Sequence, residues 1–117
     1  MGRVDIRQAS VSHLPFSDAM FDLVTAVETH FFWPDLPADI QEVLRVLKPG
    51  GKLIIIAEGY KGGKYYRRYK KLVELMNISV PSVDEHRELF SKAGYSDVQV
   101  FEEYDRGWIC GIGIKPA

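Results

Sequence analysis

The sequence predicts an α/β fold, and two observations lead to that prediction. Apolar, β-prone stretches alternate along the chain with stretches whose apolar residues recur at helical intervals. The last two predicted strands, 98–101 and 108–114, are joined by a short polar connection, which favours an antiparallel hairpin. Together these patterns predict a mostly parallel sheet with a C-terminal antiparallel hairpin and with helices on both faces.

Three further strands are predicted in the first half of the chain. Residues 4–8 alternate apolar and polar side chains, which is typical of a short half-buried strand. A turn over residues 14–18 contains proline, serine and aspartate, which favour tight backbone turns. Residues 21–27 and 53–57 are almost continuously apolar, and such strands are typical of parallel sheets covered on both sides.

Two of the predicted helices have clear end signals. Asp35 is a plausible N-cap for a helix whose apolar stripe ends before Pro49, and Gly50–Gly51 then predicts a turn. Ser82 and Glu85 have the spacing of a capping box that starts the last helix, which Gly94 ends. Its inward residues are predicted to be Val83, His86, Phe90 and Ala93.

Between these helices, residues 61–80 are predicted to form a basic and aromatic helical insert in a single domain of residues 1–117. One face of this helix carries its tyrosines and aliphatic residues: Tyr65, Tyr66, Tyr69, Leu72, Val73 and Met76. Lysine and arginine fill the remaining faces. Such a helix could be a lid over a substrate or a nucleic-acid patch, but an apolar face packed down beneath a solvated charged face is the more common case.

Composition narrows the classes of function. The chain has 117 residues and a net charge of -1, which gives no electrostatic reason for a nucleic-acid or anionic-membrane partner. Cys110, the one cysteine, cannot form an internal disulfide, so a reducing cytoplasm is expected. His13 and His86 have no partners at metal-ligand spacing, so no metal site is expected.

Ligands of open α/β sheets bind outside the carboxyl ends of the parallel strands. In this sequence those ends are residues 9–11, 27–30 and 58–60. A binding site is therefore expected where these three short segments meet.

Two stretches resemble class I S-adenosylmethionine (SAM)-dependent methyltransferases. Residues 14–24, LPFSDAMFDLV, resemble the family's LPF…FDLV stretch, and residues 42–53, EVLRVLKPGGKL, resemble its E-x-x-R-V-L-K-P-G-G-x-L segment. The resemblance implies a Rossmann-like sheet, SAM as cofactor and methyl transfer to a small molecule.

The family's glycine-rich SAM loop and ribose-binding acid have no counterpart here. Gly111 and Gly113 lie in the last predicted strand, where they more simply ease close packing. The resemblance therefore implies a truncated domain that begins just before the family's third strand. The family's first strand would lie beside residues 21–27, so its absence predicts an exposed apolar edge, covered either by a homodimer or by residues 4–8.

The resemblance also places the cofactor contacts. The family's adenine contacts correspond to Ser10 and Val11, where a serine hydroxyl replaces the usual carboxylate. Ala26, Val27 and Glu28 end the strand that would contact the methionine part of SAM.

Catalytic and substrate roles remain open between two interpretations. Glu28 and His30 are candidate general bases or substrate ligands, but methyl transfer can also proceed by positioning, with both residues merely at the pocket rim. Trp33, with the two phenylalanines before it, and Tyr65 are candidate substrate contacts. The alternative is that they are ordinary core and helix packing.

Two other functions compete with methyl transfer. A chain without the glycine loop could be a non-catalytic interaction module, or a truncated gene product, that does not bind SAM. RNA binding through Lys61–Lys71 is a third hypothesis, less favoured by the overall charge.

Overall fold

In the computed structural model, which describes residues 2–117, a four-stranded mixed sheet is combined with three α-helices. The strands are β1 Phe21–Val27, β2 Leu47–Ala57, β3 Ser96–Glu103 and β4 Trp108–Ile114, and the helices are α1 Leu36–Val46, α2 Tyr66–Met76 and α3 Val83–Ala93. A short 3-10 helix, His30–Phe32, precedes α1. The strand order is β1-β2-β4-β3. The α/β fold and the antiparallel C-terminal hairpin are confirmed.

Helices α1 and α3 pack together on one face of the sheet. Ala26, Leu53 and Ile55 from the strands meet Ile40 of α1 and Phe90 of α3 in the main core cluster. The apolar stripe of α1 explains its place there, because residues three and four apart share one helical face. The predicted N-cap is confirmed, since the Asp35 side chain accepts a hydrogen bond from the Ala38 amide.

The end signals of α3 are also confirmed. Ser82 and Glu85 form a capping box, and Gly94 ends the helix with a φ of 106°. The two glycines of β4 allow close packing under this helix, as predicted. A Cβ atom at Gly111 would lie 2.9 Å from Phe90 Cε2, so only glycine admits the phenyl ring this close to the strand.

The opposite face of the sheet differs from the expectation of helices on both faces. Within residues 2–117, α1 and α3 cover one face, while large apolar side chains of the other remain exposed. They are Leu23, Val27, Ile56, Phe101 and Trp108. Alternation along each strand explains this, because every second side chain points away from α1 and α3.

The predicted strand over residues 4–8 is wrong. These residues have no strand partner, and Val4 and Ile6 are 77% and 90% exposed. Alternation alone cannot form a strand without a neighbouring strand to pair with. Because residues 4–8 do not pair, β1 lies at the sheet edge with β2 as its neighbour. Within residues 2–117, β1–β2 is the one parallel pair, so the sheet is not mostly parallel as predicted.

Strand β2 begins earlier than predicted. Leu47 already pairs with Phe21, but the next partner of β1 is Lys52, so the residues between them form an irregularity in the strand. Gly50 has a φ of 84° there, which favours glycine. The predicted turn at Gly50–Gly51 is therefore present, but strand pairing before and after it makes this segment part of β2.

Candidate functional site

The carboxyl ends of β1 and β2 meet side by side, since Val27 pairs with Ile56. Glu28 follows β1 with a φ of 57°, a left-handed conformation that is uncommon outside glycine. Its amide donates to Ile56 O at 2.8 Å, and its carboxylate accepts a hydrogen bond from the Glu58 amide. The Glu28 side chain therefore bridges the ends of both strands.

An apolar cavity of about 380 Å³ opens beside this bridge. Residues from both strand ends, the 3-10 helix, α2 and the loop after α2 form its wall. They are Glu28, Phe31, Phe32, Glu58, Gly59, Tyr69, Leu72, Val73, Met76, Ile78 and Val80. Glu28 and Glu58 stand at the strand end of the wall, and almost all of the lining surface is apolar. This volume lies within the usual range for small-molecule sites, about 300–1,000 Å³.

Two tyrosines tie the loop before helix α2 to the β3–β4 hairpin. Buried Tyr60 donates to Glu102 Oε2 at 2.6 Å, and Tyr65 donates to Asp105 O at 3.2 Å. Burial first, and then the Glu102 carboxylate, raise the pKa of Tyr60, which keeps it a donor. At the cavity, a Cβ atom at Gly59 would lie 2.7 Å from the Tyr69 hydroxyl oxygen, so glycine permits this close approach.

His30 points into the protein and pairs with His86, with their Nε2 atoms 2.9 Å apart. His86 Nδ1 lies 2.7 Å from Ser82 O, and a carbonyl can only accept, so this nitrogen carries the proton. It follows that His30 Nε2 donates to His86 Nε2. Within residues 2–117, the buried His30 Nδ1 has no hydrogen-bond partner.

Both histidines are held neutral. Burial, together with the neighbouring His86, lowers the pKa of His30 to about 3. Burial also lowers the pKa of His86. The pair joins the turn after β1 to the start of α3, 56 residues apart in sequence.

The segment that contains Ser10 and Val11 is tied to α1 rather than to another strand. Ser10 Oγ accepts from the Ser12 amide at 3.1 Å, and Ser12 Oγ donates to buried Asp39 at 2.7 Å. Val11 is partly buried against the main core. The Asp39 carboxylate also accepts from the Asp35 amide at 3.0 Å, so it joins this segment to the start of α1.

A second tie comes from Glu42 and Arg45. Glu42 accepts from the Leu14 amide at 2.7 Å and forms two hydrogen bonds with Arg45. Arg45 also donates to Leu14 O, Phe16 O and the Asp18 carboxylate. Hydrogen bonds from Arg45 lower the pKa of Glu42 to about 2. Hydrogen bonds from Glu42 and Asp18 in turn raise the pKa of Arg45.

The structure brings some of the predicted site residues together and separates others. Glu28 borders the apolar cavity, whereas His30, Trp33 and Tyr65 do not line it. Trp33 packs against the main core, and Tyr65 lies against the β3–β4 connection. Ser10 is exposed before the turn that leads to β1, and Ala26 is buried under α1 and α3.

Sequence reasoning missed several residues of the site. Gly59 was a detectable signal, because a glycine two residues after a buried strand can permit a close approach of another side chain. Ile78 and Val80 lie in a loop without periodicity and gave no signal. The partner of His30 could not be found locally, because His86 lies on a different element.

The remaining surface adds two observations. Lys64 and Arg68 lie over the Tyr65 ring, at 5.7 and 5.3 Å from its centroid, so part of the basic patch contacts the protein's own aromatic side chain. In the part of the chain that the structure describes, no group of three or more His, Cys, Asp or Glu side chains is placed to hold a metal ion. Over those same residues, none of the helices has the length and apolar character that crossing a membrane requires.

Comparisons with known proteins find methyltransferases. A family model described as a methyltransferase domain matches residues 1–55. A methyltransferase of Streptomyces halstedii, GfsG, is 42% identical over 98% of this chain and 43% of its own length. The demethylmenaquinone methyltransferase of Desulfitobacterium hafniense is 29% identical over 82% of this chain and 47% of its own length. The chain thus spans less than half the length of these two relatives.

Among solved structures, a SAM-dependent methyltransferase of Thermotoga maritima, described as a possible histamine N-methyltransferase, superposes with a TM-score of 0.82. It is 25% identical, over 96% of this chain and 64% of its own. The two sequence stretches that resemble the family lie in the β1 edge and the α1–β2 unit that frame the site. The chain belongs to the class I SAM-dependent methyltransferases.

Proposed function

We propose that this chain takes part in SAM-dependent methyl transfer to a small molecule. The observation that carries the proposal is the site at the ends of β1 and β2, where the Glu28 carboxylate borders an apolar cavity. The alternative of a non-catalytic interaction module is not favoured, because the relatives are methyltransferases by name.

The residues present fit part of the cofactor. Ser10 Oγ accepts one hydrogen bond from Ser12 and has a second lone pair for the adenine amino group. Glu28 uses Oε1 for the Glu58 amide, which leaves Oε2 for the ammonium of the methionine part. Val27, which is 53% exposed next to Glu28, would supply apolar surface beside the methionine part, whereas Val11 and Ala26 pack in the main core cluster.

The chemistry requires little beyond positioning. When bound, SAM would supply a methyl group on a sulfonium sulfur, and the sulfur would leave as the neutral thioether of S-adenosylhomocysteine as the acceptor's nucleophile bonds to the methyl carbon. The protein's share is to hold both reactants and to exclude water, which Phe31 and Phe32 favour at the cavity wall. His30 would act through position, because its pairing with His86 fixes the turn directly after Glu28.

We also propose that the chain forms a cytoplasmic homodimer through the edge of β1. Within residues 2–117, β1 pairs with β2 alone, and an unpaired edge favours pairing with another chain. Leu23 and Val27, which are 52% and 53% exposed on the open face of the sheet, add apolar surface beside that edge. Thr25→Lys should weaken the dimer in sedimentation equilibrium, because a charged side chain at the edge disfavours strand pairing. A compact monomer of the unchanged protein at high concentration would count against the dimer.

Calorimetry with SAM tests the cofactor proposal directly. The unchanged chain should bind SAM, and Glu28→Gln should weaken binding about tenfold, which corresponds to roughly 1.4 kcal/mol. Glutamine keeps an oxygen for the Glu58 amide and removes the charge. Glu74→Gln, on the exposed surface of α2, is the matched control and should leave binding unchanged. Absence of heat at millimolar SAM contradicts cofactor binding by this chain.

A further inference from the structure

Part of the wall of the apolar cavity consists of apolar side chains that remain exposed to solvent. Leu72 and Met76 of α2 are 54% and 48% exposed, although both border the cavity. None of the residues of α2 is fully buried. Apolar surface facing an open cavity gains free energy when a ligand removes it from water.

Two glutamates line the strand end of the cavity. Almost all of the lining surface is apolar, so the carboxylates of Glu28 and Glu58 lie at its rim, where they accept hydrogen bonds. The left-handed backbone at Glu28 places its carboxylate against the Glu58 amide, so this polar end is built by the fold. A ligand with an anionic head group would be repelled there, whereas a hydroxyl or an ammonium group would be held.

The attachment of α2 suits such a ligand. Hydrogen bonds from Tyr60 and Tyr65 to the β3–β4 hairpin hold the loop before the helix. The cavity-lining residues Leu72 and Met76 lie further along, towards the C-terminal end at Asn77. No residue in this part of the helix is fully buried, so a shift that admits bulkier molecules would break few core contacts.

We propose that the methyl acceptor has an apolar body, bound under α2, and a hydroxyl or amine head group held at the Glu58 carboxylate, beside Glu28. The identification of this ligand as the methyl acceptor rests on the proposed function, but the binding site itself is independent of that function. The ligand class is therefore a neutral or cationic amphiphile of small-molecule size, and not an anion.

Fluorescence of N-phenyl-1-naphthylamine, a neutral apolar probe, tests the body of the site without SAM or turnover. Leu72→Asp should weaken probe binding at least about tenfold, because it places a charge on the apolar wall. Leu75→Asp is the matched control: this residue lies on the same helix, is 84% exposed, does not line the cavity and should bind the probe as before. Leu72→Ser gives a milder version should the charged variant fail to fold.

Two results would overturn the location. Equal loss from Leu72→Asp and Leu75→Asp would mean that the effect is not at the cavity. Loss of probe binding in Phe101→Asp would place the probe on the open face of the sheet, where Phe101 is 55% exposed.

Displacement of the probe by decylamine, decanol and decanoate tests the head group. The amine and the alcohol should displace the probe at about tenfold lower concentration than the carboxylate, and Glu58→Gln should reduce this preference. Equal displacement by all three would overturn the head-group assignment. Probe binding without any SAM heat would refute the proposed function but leave this site standing, and the reverse result would refute only this site.

Discussion

Residues 10–20 and helix α2 are held in the protein by opposite means. Residues 10–20 contain no helix or strand, yet side chains of α1 hold them at several points. Arg45 and Glu42 bind Leu14, Phe16 and Asp18, and the amides of Ala19 and Met20 donate to the end of α1. Helix α2 is regular over 11 residues but has no fully buried side chain.

Backbone hydrogen bonding accounts for the contrast. A helix satisfies its internal amides and carbonyls by itself, so α2 needs little from its neighbours. An irregular segment must find partners elsewhere, and charged side chains of α1 supply them. Residues 10–20 are consequently tied to α1 at several points, whereas no fully buried side chain holds α2, which forms one wall of the cavity.

Replacement of Arg45 should break this contrast most strongly. Arg45→Ala removes the donors to three backbone or side-chain groups of residues 14–18 and leaves the largely buried Glu42 without its cation. We expect a loss of about 2–3 kcal/mol in the free energy of unfolding, measured with urea.

Arg87→Ala is the matched control for this variant. Arg87 pairs with Asp84 at 2.8 Å and at the same helical spacing as Arg45 with Glu42, but both members of this pair are more exposed. It should cost less than about 0.5 kcal/mol. Similar losses from the two variants would show that Arg45 does not anchor residues 10–20.

Acid should weaken the ties between residues 10–20 and α1. The folded-state pKa of Glu42 is lowered from 4.5 to about 2, so its contribution is present above pH 4.5 and is lost as pH falls towards 2. Glu42→Gln lacks this titration, and the stability gap between the two proteins should narrow over that range by at most about 1.4 kcal/mol per pH unit. His30 and His86, whose pKa values are also lowered, reduce stability below pH 6.5 in both proteins and cancel in the comparison. A constant gap from pH 5 to 3 would exclude this role for Glu42.

Elements with local signals were predictable from sequence. The caps of α1 and α3 depend on side chains within three residues of the helix start, and the β3–β4 hairpin depends on a short polar connection. The location of Glu28 at a strand end followed from the parallel pattern of β1 and β2.

Features that depend on distant partners were not predictable. Residues 4–8 carry a strand pattern but have no neighbouring strand, so they do not pair. The contact between His30 and His86 joins residues 56 apart, and no periodicity in either element points to the other. The cavity wall combines two strand ends with α2 and a loop, and its residues meet through tertiary packing alone.

The smallest expected effect tests how firmly helix α2, which forms one wall of the cavity, is held. Gln41 and Lys71 are each the sixth residue of an 11-residue helix and both are exposed. Glycine at either position costs about 1 kcal/mol of helix stability. In α1, which packs in the core, Gln41→Gly should lower the global free energy of unfolding by that amount. In α2, Lys71→Gly should lower it by well under half as much, because the helix can open without unfolding the rest.

Hydrogen exchange gives the second readout for this pair. In Lys71→Gly the amides of α2 should exchange about fivefold faster while those of α1 stay unchanged, since 1 kcal/mol alters an opening equilibrium by roughly that factor. Equal global losses from the two substitutions would mean that α2 unfolds together with the core. In that case the wall of the cavity is as rigid as the segment held by Arg45, and its adaptation to ligands of different bulk could not depend on local opening of the helix.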